Sequence, residues 1–211
     1  AAIEDGMTFF DNAWDYHDGK SEEWMGNALA AAGKRNKVFL MTKNCARDAQ
    51  GTRQHLEDSL RRLRTDRIDL WQFHEINYDN DPEWIVERGA LAEAIKAQKE
   101  GKIRFLGFTG HKHPAIHLKM LGVHPWDTVQ MPVNLCDHFY RSFIHQVIPA
   151  AQKREIGIIG MKSLGGGSAA GGGGNLLKAK ACTVDEAIQF ALSQAIASLV
   201  VGIDSMEILQ Q

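Results

Sequence analysis

Short, unbroken apolar runs that stop at a polar residue recur along this chain, and they restrict its fold more than any other feature. Phe9–Phe10 stop at Asp11, Lys37–Thr42 (KVFLMT) at Lys43, Arg67–Phe73 (RIDLWQF) at His74 and Lys102–Phe108 at Thr109-Gly110-His111. Thr128–Met131 (TVQM) and Ser198–Val201 are shorter runs, and Ile156–Met161 (IGIIGM) stops at Lys162-Ser163. The runs are continuously apolar rather than alternating. Both faces of each strand are therefore expected to be covered, as in parallel strands packed under helices.

Helical stretches lie between these runs. Ser21 reads as the N-cap of a helix to about Ala32 that Gly33 closes, and Leu56, Leu60 and Leu63 share one face of a helix from about Thr52 to Arg64. A helix from about Glu87 to Glu100 stops at Gly101, a helical segment follows Pro114, and another helix surrounds Phe143–Lys153. Thr183 and Glu186 form a capping box for a helix to about Ser193, and Asp204 is placed to cap a last one. Strand and helix thus alternate seven times. An open doubly wound sheet also alternates, but no GxGxxG follows the first strand, and the polar residues collect at strand C-terminal ends. The expectation is an α/β fold of the (β/α)8 TIM-barrel type with parallel strands.

The 211 residues are read as a single, partial barrel domain over 1–211, about one unit short of a typical barrel of ~250 residues. The opening AAIEDG reads as the tail of a helix, so the N-terminal unit is expected to be missing from the chain. Gly165–Gly174 (GGGSAAGGGG) is read as a flexible loop or a designed linker, with Gly165 alone given a role, close backbone approach to phosphate.

Charge and cysteine content remove several function classes. A net charge of -2 provides no electrostatic footprint for nucleic acid or an anionic membrane. The arginines of Arg53–Arg67 alternate with Glu57, Asp58 and Asp66 and read as a solvated helix face. No apolar run reaches the ~18 residues of a bilayer span. Cys45, Cys136 and Cys182 are scattered and odd in number, which fits a reducing, cytoplasmic setting rather than a disulfide framework. His111 and His113 form an HxH pair with Asp15 and His17 as further ligands, but a metal-dependent hydrolase needs more strand-end His and carboxylate groups, so no metal site is expected.

Asp11, Lys43 and His74 each end an apolar strand, and Tyr16 lies in the loop after the first. A phenol is a poor proton donor near neutrality until a neighbouring ammonium lowers its pKa. Lys43 is placed to supply that charge, Asp11 to hold and neutralise Lys43, and His74 to hydrogen-bond a substrate oxygen. Such a set protonates a carbonyl oxygen while something else delivers hydride. No side chain delivers hydride, so a nicotinamide cofactor is implied.

The segments FFDNAWDY, VFLMTK, IDLWQFH and LGFTGHK occur in an order that resembles the strand-end motifs of the aldo-keto reductases. The resemblance runs over essentially the whole chain. It implies a reductase acting on an aldehyde or ketone, with Tyr16 as general acid, Lys43 and Asp11 tuning it and His74 positioning the carbonyl. It also implies NADPH, with NADH as the alternative, bound extended across the rim without a Rossmann domain. Thr109 stands where the family usually has a Ser contacting the nicotinamide amide, and Gly110 where Asn is usual. Gln130 matches the Gln after the sixth strand, and Met161 stands where an aromatic ring often stacks on the nicotinamide. Ser163, Leu164 and Gly165 match the pyrophosphate loop. VVGIDSMEILQQ resembles the adenosine-phosphate motif, with Gly202 and Ser205 in register and Ile208 in place of an Arg for the 2′-phosphate.

Trp14 and Tyr78 are candidates for an apolar pocket wall, Trp14 equally for plain packing. The expected partner is a small carbonyl compound, and a monomer is compatible with the sequence. Two other readings follow from the same residues. One is a nicotinamide-binding regulatory subunit with little turnover; the other is an unclosed barrel, unstable because two strand edges are exposed.

Overall fold

The computed structural model describes residues 1–166, 174–203 and 205–210. Its chain divides into two compact units, Ala1–Thr109 and Gly110–Gln211. Most of the Gly-rich stretch, and the Asp204 read as a helix cap, lie outside the described residues.

In the first unit, Ala1–Gly6 is a run of turns that closes in the manner of a helix end. The amide of Gly6, at φ 95°, bonds Ile3 and that of Met7 reaches back to Ala2, the two bonds of a Schellman motif. Four parallel strands follow in chain order, each paired with the next: β1 (Phe9–Asp11), β2 (Phe39–Asn44), β3 (Ile68–Phe73) and β4 (Ile103–Thr109). β3 is buried along its whole length and β2 nearly so, which is why their sequences are continuously apolar. The register puts Asp11 beside Met41. Because side chains two apart share a face, Lys43 projects on the same side as Asp11.

Helices α1 (Lys20–Ala31), α2 (Ala49–Leu63), α3 (Asp81–Glu87) and α4 (Ala90–Lys99) lie between these strands. Several start earlier than the sequence suggests. α1 is entered from Gly19 in a left-handed conformation, and Ser21 lies inside it. α2 begins at Ala49 because Asp48 caps it through the Gly51 amide. α4 starts later than the Glu87 expected, after left-handed Gly89, and α3 before it was not anticipated. Lys43 lies within β2 rather than just past it. Gly33 and Gly101 close α1 and α4 as expected, each at positive φ.

The second unit carries three parallel strands, β5 (Thr128–Pro132), β6 (Gly157–Met161) and β7 (Ser198–Leu199). α5 (Pro114–Leu121) is capped by His113 and α6 (Phe143–Gln152) by Ser142. α8 (Val184–Ser193) has both halves of the Thr183–Glu186 capping box. Two short helices complete the unit, α7 (Asn175–Lys178), which the glycine-rich composition hid, and α9 (Met206–Gln210).

Candidate active site

Asp11, Lys43 and His74 come together with Tyr16 of the loop after β1. Lys43 is 1% exposed, and its ammonium donates to Asp11 Oδ1 at 2.5 Å and to the Asn12 carbonyl at 2.6 Å. Burial is the largest influence and opposes the ammonium, but Asp11 and Tyr16 together outweigh it and hold the Lys43 pKa above its usual value. The same Nζ lies 4.9 Å from the centroid of the Tyr16 ring. The Tyr16 ring meets the His74 imidazole edge to face, with centroids 5.6 Å apart.

One electrostatic expectation is corrected. Although 40% of Tyr16 is accessible, desolvation among its neighbours is the largest influence and raises the phenol above 10.0. Lys43 acts to lower it, as expected, but is outweighed, and Asp11 and Asp15 add to the rise. The phenol therefore stays protonated at neutral pH.

His74 is held from several directions. Its amide bonds the Asn44 carbonyl at 2.8 Å, and the Arg47 guanidinium donates to the carbonyls of His74 and Glu75. Arg47 is in turn fixed by buried Asp81 at 2.9 Å. Nδ1 of His74 faces Asp15 Oδ1 at 3.1 Å and Cys45 Sγ at 3.5 Å. Burial pushes the Cys45 thiol up to about 12, so at neutral pH it is an S–H donor to Asp15 rather than a thiolate ligand. Burial also opposes the charge of Asp15, yet the hydrogen bond and charge of His74 hold that carboxylate below its usual range. Asp15, Cys45 and His74 thus satisfy one another as a hydrogen-bonded trio. The sequence reading gave Cys45 no role, and only the meeting of three loops shows one.

The turn bearing Tyr16 rests on a buried polar cluster. Glu22, fully buried, accepts from Thr42 at 2.6 Å, Ser59 at 2.7 Å and Arg62 at 3.3 Å. Arg62 also donates to the Trp14 carbonyl at 3.0 Å and packs where a side chain on Gly19 would stand. Arg62 was expected on a solvated face; instead it turns inward to bind this turn. Directly after Tyr16, His17, Asp18 and Gly19 are all left-handed, at φ 51°, 54° and 86°. Trp14 is stacked on His55 at 3.6 Å, lies under Arg62 and donates to Asp58 at 3.3 Å, so it is a packing residue of this cluster. Tyr78 is exposed.

Of the residues assigned to the cofactor, Thr109 belongs to the first unit and the others to the second. Thr109 is buried at the end of β4, its carbonyl accepting from Ile76 at 2.7 Å. The Gly110 amide bonds the carbonyl of buried Gln130 at 3.3 Å, and half-buried Met161 ends β6. Ser163 is buried, and the Leu164 carbonyl accepts from Leu176 at 3.1 Å. Lys162, Gly165 and Gly166 have φ of 57°, 86° and 63°, the left-handed turns from which anion-binding nests are built. A Cβ on Gly165 would lie 2.7 Å from Leu176, so only glycine fits. Gly202 has open space at its Cβ position, and Ser205 caps α9 through the Ile208 amide at 3.2 Å. Within the second unit, the left-handed backbone at Lys162, Gly165 and Gly166 suits a phosphate group.

The chain matches the Aldo/keto reductase family over residues 1–208. It is similar to the aldo-keto reductase YhdN of Bacillus subtilis, 34% identical over 178 residues that cover 79% of this chain and 51% of the relative. It is also similar to the L-galactose dehydrogenase of Arabidopsis thaliana, 26% identical over 77% of this chain and 52% of the relative. The chain thus spans about half the length of these curated relatives. Among solved structures it resembles an aldo-keto reductase from Bacillus halodurans in holo form, with a TM-score of 0.77, 21% identity and coverage of 99% of this chain and 76% of that one. The glycerol dehydrogenase from Gluconobacter oxydans aligns with a TM-score of 0.63 and 30% identity over 77% of this chain and 51% of that one. The fold is accordingly of the α/β (β/α)8 class, with seven parallel strands among the described residues. From the ordered motifs, the strand architecture and these likenesses, the chain belongs to the aldo/keto reductase family.

Proposed function

We propose that this protein is an NAD(P)H-dependent oxidoreductase that reduces an aldehyde or ketone to the alcohol. One observation carries the reading: Asp11, Lys43 and Tyr16 form a continuous chain, with a buried ammonium between carboxylate and phenol. A bound nicotinamide supplies the hydride. The Tyr16 O–H bond breaks as its proton passes to the carbonyl oxygen, and Lys43 stabilises the phenolate left behind. A phenol with a raised pKa serves here, because the developing alkoxide is far more basic than a phenolate. His74 orients the carbonyl oxygen. Ser163, Leu164 and Gly165 would hold the pyrophosphate, Gly202 and Ser205 the adenosine phosphate, and Thr109, Gly110, Gln130 and Met161 the nicotinamide. NADPH is the proposed cofactor. Ile208 leaves the 2′-phosphate without an arginine at that position, which brings NADH within reach.

The test is NADPH oxidation with a panel of aldehydes and ketones by the intact protein and by Tyr16→Phe. The variant is expected to lose about 10²–10⁴-fold in kcat while keeping its affinity for NADPH. Equal rates would remove Tyr16 as the acid. Tight NADPH binding without turnover on any carbonyl would favour a regulatory subunit instead.

A further inference from the structure

The contact between Asp15 and His74 determines which ring nitrogen carries a proton, and the consequence bears on both directions of the proposed reaction. His74 Nδ1 lies 3.1 Å from Asp15 Oδ1, with 43% of the Asp15 side chain exposed and 9% of the His74 side chain. An ionised carboxylate has only acceptor sites, so the proton between them belongs to Nδ1. Cys45, whose Sγ is 3.5 Å from the same nitrogen, keeps its own proton and adds a second donor to the carboxylate. With Nδ1 protonated, a neutral imidazole has a bare lone pair at Nε2. That lone pair accepts a hydrogen bond from an alcohol hydroxyl. It offers nothing to a carbonyl oxygen, which itself only accepts.

We propose that Asp15 is a positioning residue that fixes His74 in the Nδ1–H tautomer, so that the ring receives an alcohol when neutral and a carbonyl only when Nε2 is also protonated. The proposal rests on the reductase reading for its substrates, but the tautomer itself does not depend on turnover. Asp15 compensates the charge of the doubly protonated ring. The other charged or titratable groups around His74 are Tyr16 against its ring, Lys43 and Asp11 behind Tyr16, Arg47 on its backbone carbonyl, Cys45, and Glu75 next in the chain. Of these groups, Asp15 is the carboxylate at hydrogen-bond distance from the imidazole. The second proton only supports a hydrogen bond to the substrate; the proton transferred to oxygen still comes from Tyr16.

Asp15→Asn is the discriminating variant, because a carboxamide can donate to Nδ1 and leave the proton of the neutral ring on Nε2. Asp15→Ala removes the bias altogether. Long-range ¹H–¹⁵N spectra of the imidazole nitrogens, assigned by the signal lost in His74→Gln, should show Nδ1–H in the neutral ring of the wild type and Nε2–H in both Asp15 variants. In kinetics, wild-type kcat/KM for carbonyl reduction should fall tenfold per pH unit once Nε2 is deprotonated, while alcohol oxidation rises over the same range. In Asp15→Asn the alkaline fall in reduction should disappear. An Nε2–H ring in the wild type, or superimposable pH profiles for wild type and Asp15→Asn, would overturn the proposal. An Nδ1–H ring without NADPH-dependent turnover in either direction would sustain the tautomer and sink the reductase reading.

Discussion

Replacing Asp11 by Asn measures how far a buried ammonium depends on one carboxylate. Lys43 is almost fully enclosed, and its bonds run to Asp11 and to the Asn12 carbonyl. Removing one charge of a buried pair typically costs about 3–5 kcal/mol because the other is left uncompensated. Asp11→Asn is expected near the low end, about 3 kcal/mol, since the Asn12 carbonyl remains; urea unfolding of variant and wild type reads it directly. A change below about 0.5 kcal/mol, the scale of surface substitutions, would mean that solvent reaches Lys43. At this scale the sequence was informative where a polar residue ended an apolar strand, as Asp11, Lys43 and His74 do. Asp15 entered only as a stray ligand and Cys45 not at all, because their roles depend on loops 29 or more residues apart meeting at one imidazole. Arg62 was misread for a related reason: charge alternation along a helix does not reveal which arginine finds a buried carboxylate.

Contact between α1 and α2 offers a sharper test than any single bond. Gly26 sits against the backbone of α2, where a Cβ would lie 2.3 Å from the Arg62 carbonyl oxygen and 2.7 Å from the backbone of Leu63. Backbone cannot yield as a side-chain tip can, so Gly26→Ala should push the helices apart. Overpacking of this kind costs about 1–3 kcal/mol, and here it also loosens the Glu22–Arg62 contact that supports the Tyr16 turn. Thermal unfolding and kcat should fall together in Gly26→Ala. A more stable variant, as helix propensity alone predicts, would show that the contact is slack. Helix existence was legible from the leucine spacing of α2 and the Thr183–Glu186 box of α8, patterns written within about two turns and one turn of helix. Helix starts were less legible, since Gly19 and Asp48 act through backbone conformation and loop geometry that periodicity does not record. The short helices α3 and α7 were missed for the same reason.

For the molecule as a whole, buried His117 and half-buried Asp137 of the second unit pull stability in opposite directions with pH. Burial lowers the His117 pKa to about 4 from 6.5, so unfolding releases a group that takes up a proton, and stability is lost as pH falls through that window. Burial raises Asp137 to about 6 from 3.8, against the Phe143 and Ile144 amides it accepts. Its contribution has the other sign, present below the unfolded value and lost as pH rises towards 6. Asp137→Asn keeps an acceptor for both amides and removes the titration. Its melting temperature relative to wild type should therefore rise between pH 4 and 6.5, and a difference independent of pH would contradict the assignment. The parallel strands of each unit were readable from the sequence. The residues that set the pH response were not, because burial is a property of the packed chain and His117 and Asp137 look ordinary in sequence.

Asp11, Tyr16, Lys43 and His74 all belong to the first unit, whose last residue is Thr109. At a synthesis rate of roughly 5–20 residues per second, the second unit follows over roughly 5–20 s. Every side chain of the acid–base group has then left the ribosome before the residues assigned to the dinucleotide begin to emerge. The residues of the Asp11–Lys43 pair and those proposed to meet a cofactor therefore emerge at different times, and a slow codon placed between them would widen the interval without altering a single contact.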